Sequence, residues 1–350
     1  MIQLKRSVAA VLAAATALAA AGCSGGDKSW AVKDDTDTVA IGSYIYNLYS
    51  AYSTASSKVT DTSKKVLDQK IGNEDAATWI RAKALTDTRA QLLVDKKMKE
   101  MNLTLSSQEK SQAKSEEASA WNSYSSTLEK YGIAQSSFEA ALDATVKEDK
   151  IFNALYGKNG PKAVSDSELK EFYTKNYTSF SYLSCLLYTT DSNGNYKAAF
   201  SDADKKKAEQ RFDGYASQIK SGKITMQQAA DVYKVTIGSS ADQLNSETVN
   251  LSTETQYPAE VKTALSAMKA GEVKTLSLPS KGAYMLLQKN DILADANTKL
   301  KTDSGRSGIL QDYKWDEFNT AFGKEADAMT GVTVNESAVN SYNPSMFEAG

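Results

Sequence analysis

Few residues of this chain could carry covalent or metal chemistry. Its 350 residues include no histidine and only two cysteines, Cys23 and Cys185. Without imidazole, neither Ser-His-Asp nor Cys-His catalysis can be assembled, and His-ligated metal sites such as HExxH are excluded. The phosphate-binding patterns GxxxxGK[ST] and GxGxxG are also absent. We therefore expect no metal and no cofactor.

Cys185 is the one candidate nucleophile outside the N-terminal region. It lies in the largely apolar run Phe180 to Tyr188, FSYLSCLLY, which predicts a strand. A free cysteine in such a run is most simply a small buried apolar residue. A nucleophile would need a neighbouring base or metal to lower its pKa, and the sequence offers neither motif.

Cys23 follows a typical leader. Lys5 and Arg6 precede an apolar run from Val8 to Ala21, which is shorter than the roughly 20 residues of a membrane span. Leu18–Cys23 resembles a bacterial lipobox, which implies a signal peptide over residues 1–22 and acylation of Cys23. Ordinary cleavage, leaving a free secreted protein, is the alternative. Both interpretations place the protein outside the cytoplasm, and an acylated Cys23 cannot form a disulfide with Cys185.

Composition narrows the class of protein. Hydrophobic residues make up 41% and charged residues 24%, so a packed core is expected, with room for about two domains. The net charge is −2, and removing the leader with its two basic residues makes the chain more acidic. A nucleic-acid partner is not expected, because no basic field is present to hold phosphates.

The first half of the chain predicts helices. Residues 23–40 form a polar tether and a short hairpin, and no proline occurs before Pro161. A capping box is expected at Ser106 and Glu109. The predicted helices could form an array with a shallow, partly polar groove, or else a plain helical bundle with solvated faces. The four predicted helices cover residues 41–58, 73–101, 106–131 and 135–156.

The second half of the chain is predicted to contain strands as well as helices. Pro258 opens a short helix that Gly271 ends, and strands follow over Glu272–Leu278 and Ala283–Lys289 with a glycine turn between them. This order resembles the last third of a parvulin-type prolyl-isomerase domain. The segment from Ser165, whose Glu168 completes a capping box, to Phe180 resembles the connector helix of PrsA-like and SurA-like foldases.

The resemblance implies an α+β protein: a mainly helical chaperone domain with a small parvulin-like domain inserted into it. The implied boundaries are 41–178 with 294–350 for the helical domain, and 179–293 for the insertion. A C-terminal helix over Leu300–Met329, weakened near Gly305 and Gly308, would return to the N-terminal helices.

The resemblance also locates the expected site. Parvulins pair a slot for the proline ring with two histidines, and the matching positions here are Cys185 and Met285. Gln256 and Leu265 stand near the ring-slot positions. With both histidines missing, either a weakened isomerase activity remains or the domain has become a binding module; we favour the second interpretation.

The implied function is that of a membrane-anchored extracytoplasmic foldase. Its partners would be unfolded or newly translocated secreted proteins, and the lipid bilayer through acylated Cys23. Two alternatives stay open. A solute-binding lipoprotein of a transporter predicts two α/β lobes around a cleft, and a structural surface lipoprotein predicts no client binding.

Overall fold

The computed structural model describes residues 28–190 and 196–348. Cys23 and the rest of the predicted leader lie outside the described residues. The chain divides into two compact units. One unit, the helical unit, contains the described residues up to Val164 together with those from Leu310 onwards. The other, the sheet unit, is Ser165–Ile309.

The helices of the first half form where the sequence predicts them. Ala, Leu, Lys, Gln and Glu dominate these segments, and such residues lose little side-chain freedom in a helix. The Ser106 hydroxyl accepts the Glu109 N–H at 3.2 Å while the Glu109 carboxylate accepts the Ser106 N–H at 2.7 Å, so the predicted capping box is confirmed. The helices of this half are α1 (Ile41–Lys58), α2 (Ala76–Glu100), α3 (Ser107–Lys130) and α4 (Gln135–Tyr156).

Short strands complete the helical unit. The predicted hairpin is confirmed as β1 (Trp30–Lys33) and β2 (Thr38–Ala40), which pair antiparallel. The far strand β11 (Thr333–Val334) adds to the other edge of β1. Residues from opposite ends of the described chain therefore share one small sheet. A second hairpin consists of β3 (Lys70–Ile71) and β4 (Glu74–Asp75).

The sheet unit is built on a four-stranded antiparallel sheet in the order β8-β5-β10-β9. Helices cover both faces, so each strand alternates between two separate cores. One core includes Leu183, Phe212 and Leu286, and the opposite core includes Phe180, Leu265 and Leu287. The sheet strands are β5 (Thr178–Leu186), β8 (Asn245–Val249), β9 (Val273–Leu278) and β10 (Ala283–Lys289).

The described part of the sheet unit also contains a small hairpin and several helices. The small hairpin of β6 (Tyr188–Thr190) and β7 (Tyr196–Ala199) follows β5. Gly282 ends the turn before β10 with φ of 56°, a conformation that glycine adopts without strain. The helices are α5 (Asp166–Asn176), α6 (Asp202–Lys220), α7 (Met226–Thr236), α8 (Ala259–Ala267) and α9 (Ile292–Lys299).

The C-terminal helix differs from its prediction in two ways. It runs without interruption as α10 (Asp303–Asp327), although Gly305 and Gly308 were expected to weaken it. Single glycines cost a helix about 1 kcal/mol each, which neighbouring residues of a long helix offset. The separate helix α9 was not predicted. The short helix α11 (Glu336–Val339) and a 3₁₀ turn over Pro344–Phe347 follow β11. Across the described ranges, no helix has the length and hydropathy of a membrane span.

Candidate functional site

The two positions expected to replace the parvulin histidines do not lie together. Residues directly opposite on paired strands share a face, and successive residues alternate between faces. In the β5–β10 pair, Cys185 is opposite Tyr284, while Met285 is opposite Ser184. Cys185 belongs to the core under α6 and α7, and Met285 to the core on the other face. The sheet therefore separates the two sulfur atoms rather than forming one site from them.

Gln256 and Leu265 are not brought together with Cys185 either. Leu265 is fully buried in the same core as Met285, so it cannot line an accessible slot. Gln256 is exposed in the loop before α8, where its backbone N–H donates to the Glu254 carboxylate. The structure thus places the four sequence-derived positions in three different environments.

Cys185 is buried, with 6% of its surface exposed, among Leu183, Phe212 and Leu286. Its thiol donates weakly to the Leu186 carbonyl at 3.5 Å. Burial, together with a hydrogen-bonding contact to this thiol, raises the pKa of the Tyr233 hydroxyl. These surroundings are those of an apolar core residue, and they contain no base that would generate a thiolate.

Tyr284 is the residue that shares a face with Cys185, and the sequence did not indicate it. Its hydroxyl donates to the Asp213 carboxylate at 3.1 Å, and the Thr275 hydroxyl donates to the same oxygen at 2.7 Å. Burial first, and then the charge of Asp213, raises the pKa of Tyr284. The three residues join β9 and β10 to α6. The hydroxyl opposite Cys185 is therefore engaged in holding a helix against the sheet.

The helical unit contains a second candidate site, which is a groove between the C-terminal end of α2 and the N-terminal halves of α3 and α4. Its volume is about 1140 Å³. Small-molecule sites are roughly 300–1,000 Å³, so this groove has room for a stretch of polypeptide. Buried Met98, Leu105 and Ala113 and half-buried Leu103 supply its apolar part.

Charged residues of both signs surround this apolar part. The lysines are Lys99, Lys110, Lys114 and Lys147, and the acidic residues are Asp95, Glu117, Glu139 and Asp143. Burial, with the charges of Asp143 and Glu139, raises the pKa of Glu117. An unfolded chain of mixed composition meets both apolar and ionic partners in such a groove.

Two lysines of α4 form ion pairs beside the groove. The Lys147 ammonium donates to Asp95 on α2 and to Asp143 on its own helix, each at 2.7 Å. The Lys150 ammonium contacts Glu109 at the start of α3 at 2.8 Å. That hydrogen bond, followed by one from the Ser106 N–H, lowers the pKa of Glu109 to about 2. The sequence left open a shallow, partly polar groove in this helical array, and it did not indicate which residues line it.

Comparisons with known proteins give little beyond the fold class. No protein-family profile matches the chain, and no curated protein matches it. The chain is similar to the crystal structure of PrsA from Bacillus subtilis, with a TM-score of 0.34 and 14% identity over 78% of this chain and 92% of that one. It is also similar to the foldase protein PrsA from Streptococcus pneumoniae, with a TM-score of 0.33 and 14% identity over 81% and 97% of the two chains. At these values the likeness establishes neither a family nor an activity.

Proposed function

We propose that this chain is an extracytoplasmic foldase that holds unfolded or newly translocated secreted proteins. The observation that supports this role is the groove between α2, α3 and α4, whose volume is about 1140 Å³. The groove combines an apolar floor with ionic walls, and its size exceeds what a small solute needs. The resemblance of Ser165–Phe180 and Tyr257–Lys289 to foldase segments points in the same direction.

The groove suits a holding role for a physical reason. Unfolded chains expose apolar side chains, and their transfer from water onto Met98, Leu103 and Leu105 is favourable without directional requirements. The Lys147 ammonium on α4 pairs with Asp95 on α2, which ties these two helices together beside the groove. Binding of this kind depends little on the amino-acid sequence of the client, as a holding protein requires.

We assign the sheet unit a binding or spacing role without isomerase catalysis. A prolyl isomerase must lower a rotation barrier of about 18–20 kcal/mol by favouring the twisted amide. The two positions matched to the parvulin histidines, Cys185 and Met285, lie on opposite faces of the sheet. The residue opposite Cys185 is Tyr284, and neither of these two presents a free polar group: the thiol is buried and the hydroxyl donates to Asp213. The domain boundaries of this proposal are the implied ones, 179–293 within 41–178 and 294–350.

Anchoring forms the second part of the proposal. Acylated Cys23 would hold the protein at the outer face of the cell membrane, where clients emerge from translocation. One acyl chain binds a bilayer only marginally, so a diacyl anchor is required for stable attachment. The basis is the resemblance of Leu18–Cys23 to a lipobox.

The transporter alternative loses its support, because the described residues form an antiparallel-sheet unit and a helical unit rather than two α/β lobes.

Suppression of client aggregation tests the holding role. Residues 24–350 are added to a chemically denatured client, and light scattering is followed during dilution. We expect wild type to suppress scattering and Leu103→Asp, which puts a charge on the groove floor, to lose most of that effect. Leu293→Asp is the matched control, because Leu293 is 50% exposed on α9 of the other unit. Equal suppression by all three proteins would reject the groove as the client site.

A further inference from the structure

A second concave surface of the helical unit is lined by tyrosines and is filled by the chain itself. Tyr49 and Tyr52 of α1 and Tyr131, just after α3, surround the ring of Phe347. Their centroids lie 5.4, 5.7 and 4.9 Å from the Phe347 centroid, and the rings of Tyr49 and Tyr131 meet it edge to face. We call these three residues the tyrosine cage.

The cage residues have the chemistry of a binding surface. All three tyrosines are half-buried, whereas Phe347 is 9% exposed. Tyrosine is enriched at protein interfaces because it offers a large rigid ring with a polar tip and loses little side-chain entropy on binding. Burial raises the pKa of the hydroxyls of Tyr49, Tyr52 and Tyr131.

The occupant is a short segment with few polar ties to the unit. It forms one 3₁₀ turn, Pro344–Phe347, whose Pro344 and Phe347 are buried. Most of its hydrogen bonds are internal, such as the Ser345 N–H to the Asn343 side chain and the Met346 N–H to the Asn343 carbonyl. Among the described residues, the bond joining Pro344–Glu348 to the rest of the unit runs from the Leu67 N–H to the Glu348 carboxylate, at 3.0 Å.

The geometry points to a client-binding site that the chain's own Asn343–Glu348 segment occupies in place of a client. The ligand class is read from the occupant: a short segment of an unfolded chain with an aromatic ring, a methionine just before it, a proline three residues before it, and a carboxylate or carbonyl oxygen just after it. The ring enters the tyrosine cage and the oxygen accepts the Leu67 N–H. This inference rests on the proposed holding function and adds a second, sequence-selective contact to the groove.

The occupied state sets the affinity for an added ligand. A tethered segment competes at an effective concentration in the millimolar range. A ligand binds only the fraction of molecules whose cage is open, and its apparent affinity falls by that fraction. Removing the Phe347 ring should therefore raise the affinity for a peptide added in trans, whereas removing a purely structural ring should not.

Fluorescence anisotropy with fluorescein-labelled Asn-Pro-Ser-Met-Phe-Glu tests the inference on residues 24–350. We expect Phe347→Ala to bind this peptide at least about tenfold more tightly than wild type, as expected if the cage is closed in nine molecules of ten or more. Tyr49→Ala in the Phe347→Ala background should abolish the gain, and a peptide with alanine for phenylalanine should not bind. Glu348→Gln, which leaves every ring in place, should give a smaller gain.

Phe322→Ala is the matched control. Phe322 is 6% exposed in the same unit and packs on Phe318 at 5.2 Å, so its loss loosens the core without touching the cage. Circular dichroism shows whether each variant is folded. Equal gains in Phe347→Ala and Phe322→Ala would overturn the inference. So would the absence of any gain in both folded Phe347→Ala and Glu348→Gln.

The aggregation assay separates this inference from the proposed function. If wild type suppresses aggregation in a Leu103-dependent way while no Phe347 or Glu348 variant gains peptide, the cage inference fails and the holding role stands. If Phe347→Ala gains the peptide but wild type suppresses no aggregation, the holding role fails. In that case the cage remains a peptide site of a different function.

Discussion

Cys185 on β5 stands directly opposite Tyr284 on β10, whereas Met285, the next residue along, belongs to the other face of the sheet. The Cys185 face thus carries a tyrosine whose hydroxyl donates to Asp213, while Met285, the position matched to the second parvulin histidine, lies on the other face. This pairing determines what can be expected of the sheet unit as an enzyme.

Prolyl isomerisation by this protein should not exceed the uncatalysed rate. The Cys185 thiol is buried and the Tyr284 hydroxyl is engaged, so neither of these two donors is free to act on a substrate amide. NMR exchange on a proline peptide with residues 24–350 measures the rate directly. Cys185→Ala should leave the rate unchanged and lower the free energy of unfolding by about 1 kcal/mol. Faster exchange that Cys185→Ala removes would contradict this assignment.

Tyr284→Phe should destabilise the sheet unit. The substitution removes the hydroxyl from Asp213 while keeping the ring in the core, and a lost hydrogen bond to a charged group costs about 1.5–3 kcal/mol. Urea unfolding at neutral pH measures the change. Tyr215→Phe is the control, since no hydrogen bond of its hydroxyl to a described residue is seen and its ring is buried in the same core. Similar losses in both variants would mean that the Asp213 bond contributes nothing.

The contribution of Glu109 to the stability of the helical unit should be lost at acid pH. The Lys150 contact and the Ser106 N–H lower the pKa of Glu109 from 4.5 to about 2 in the folded state. A lowered pKa contributes stability that is fully present above pH 4.5 and is lost as the pH falls towards 2. The difference in free energy of unfolding between wild type and Glu109→Gln should therefore shrink across that window. Urea titrations at a series of pH values check this, and a difference that stays constant would contradict it.

Membrane attachment should depend on Cys23 alone. If Cys23 carries the diacyl anchor, the mature protein partitions into detergent in a phase-separation assay, and Cys23→Ser moves it to the aqueous phase. Cys185→Ala removes the other cysteine of the chain and should leave partitioning unchanged. Recovery of wild type in the aqueous phase would instead indicate ordinary cleavage and release.

The sequence by itself determined those helices, caps and strands that depend only on neighbouring residues. A helix needs suitable residues over a few turns and a cap, so α1 to α4 and the boxes at Ser106 and Ser165 were predictable. The strands of the 257–289 segment followed from alternation and from Gly282. The absence of histidine, a matter of composition alone, excluded imidazole catalysis and His-ligated metal sites.

Only the tertiary structure decided which residues meet. A slip of one residue in strand register moves every side chain to the opposite face, so Tyr284 and Met285 could not be distinguished from the sequence. Phe347 lies about three hundred residues from Tyr49, and no local pattern links a 3₁₀ turn to three distant tyrosines. The lining of the groove likewise depends on how α2, α3 and α4 pack. Helix and strand propensity depends on neighbouring residues, whereas a binding site depends on the packing that brings distant residues together.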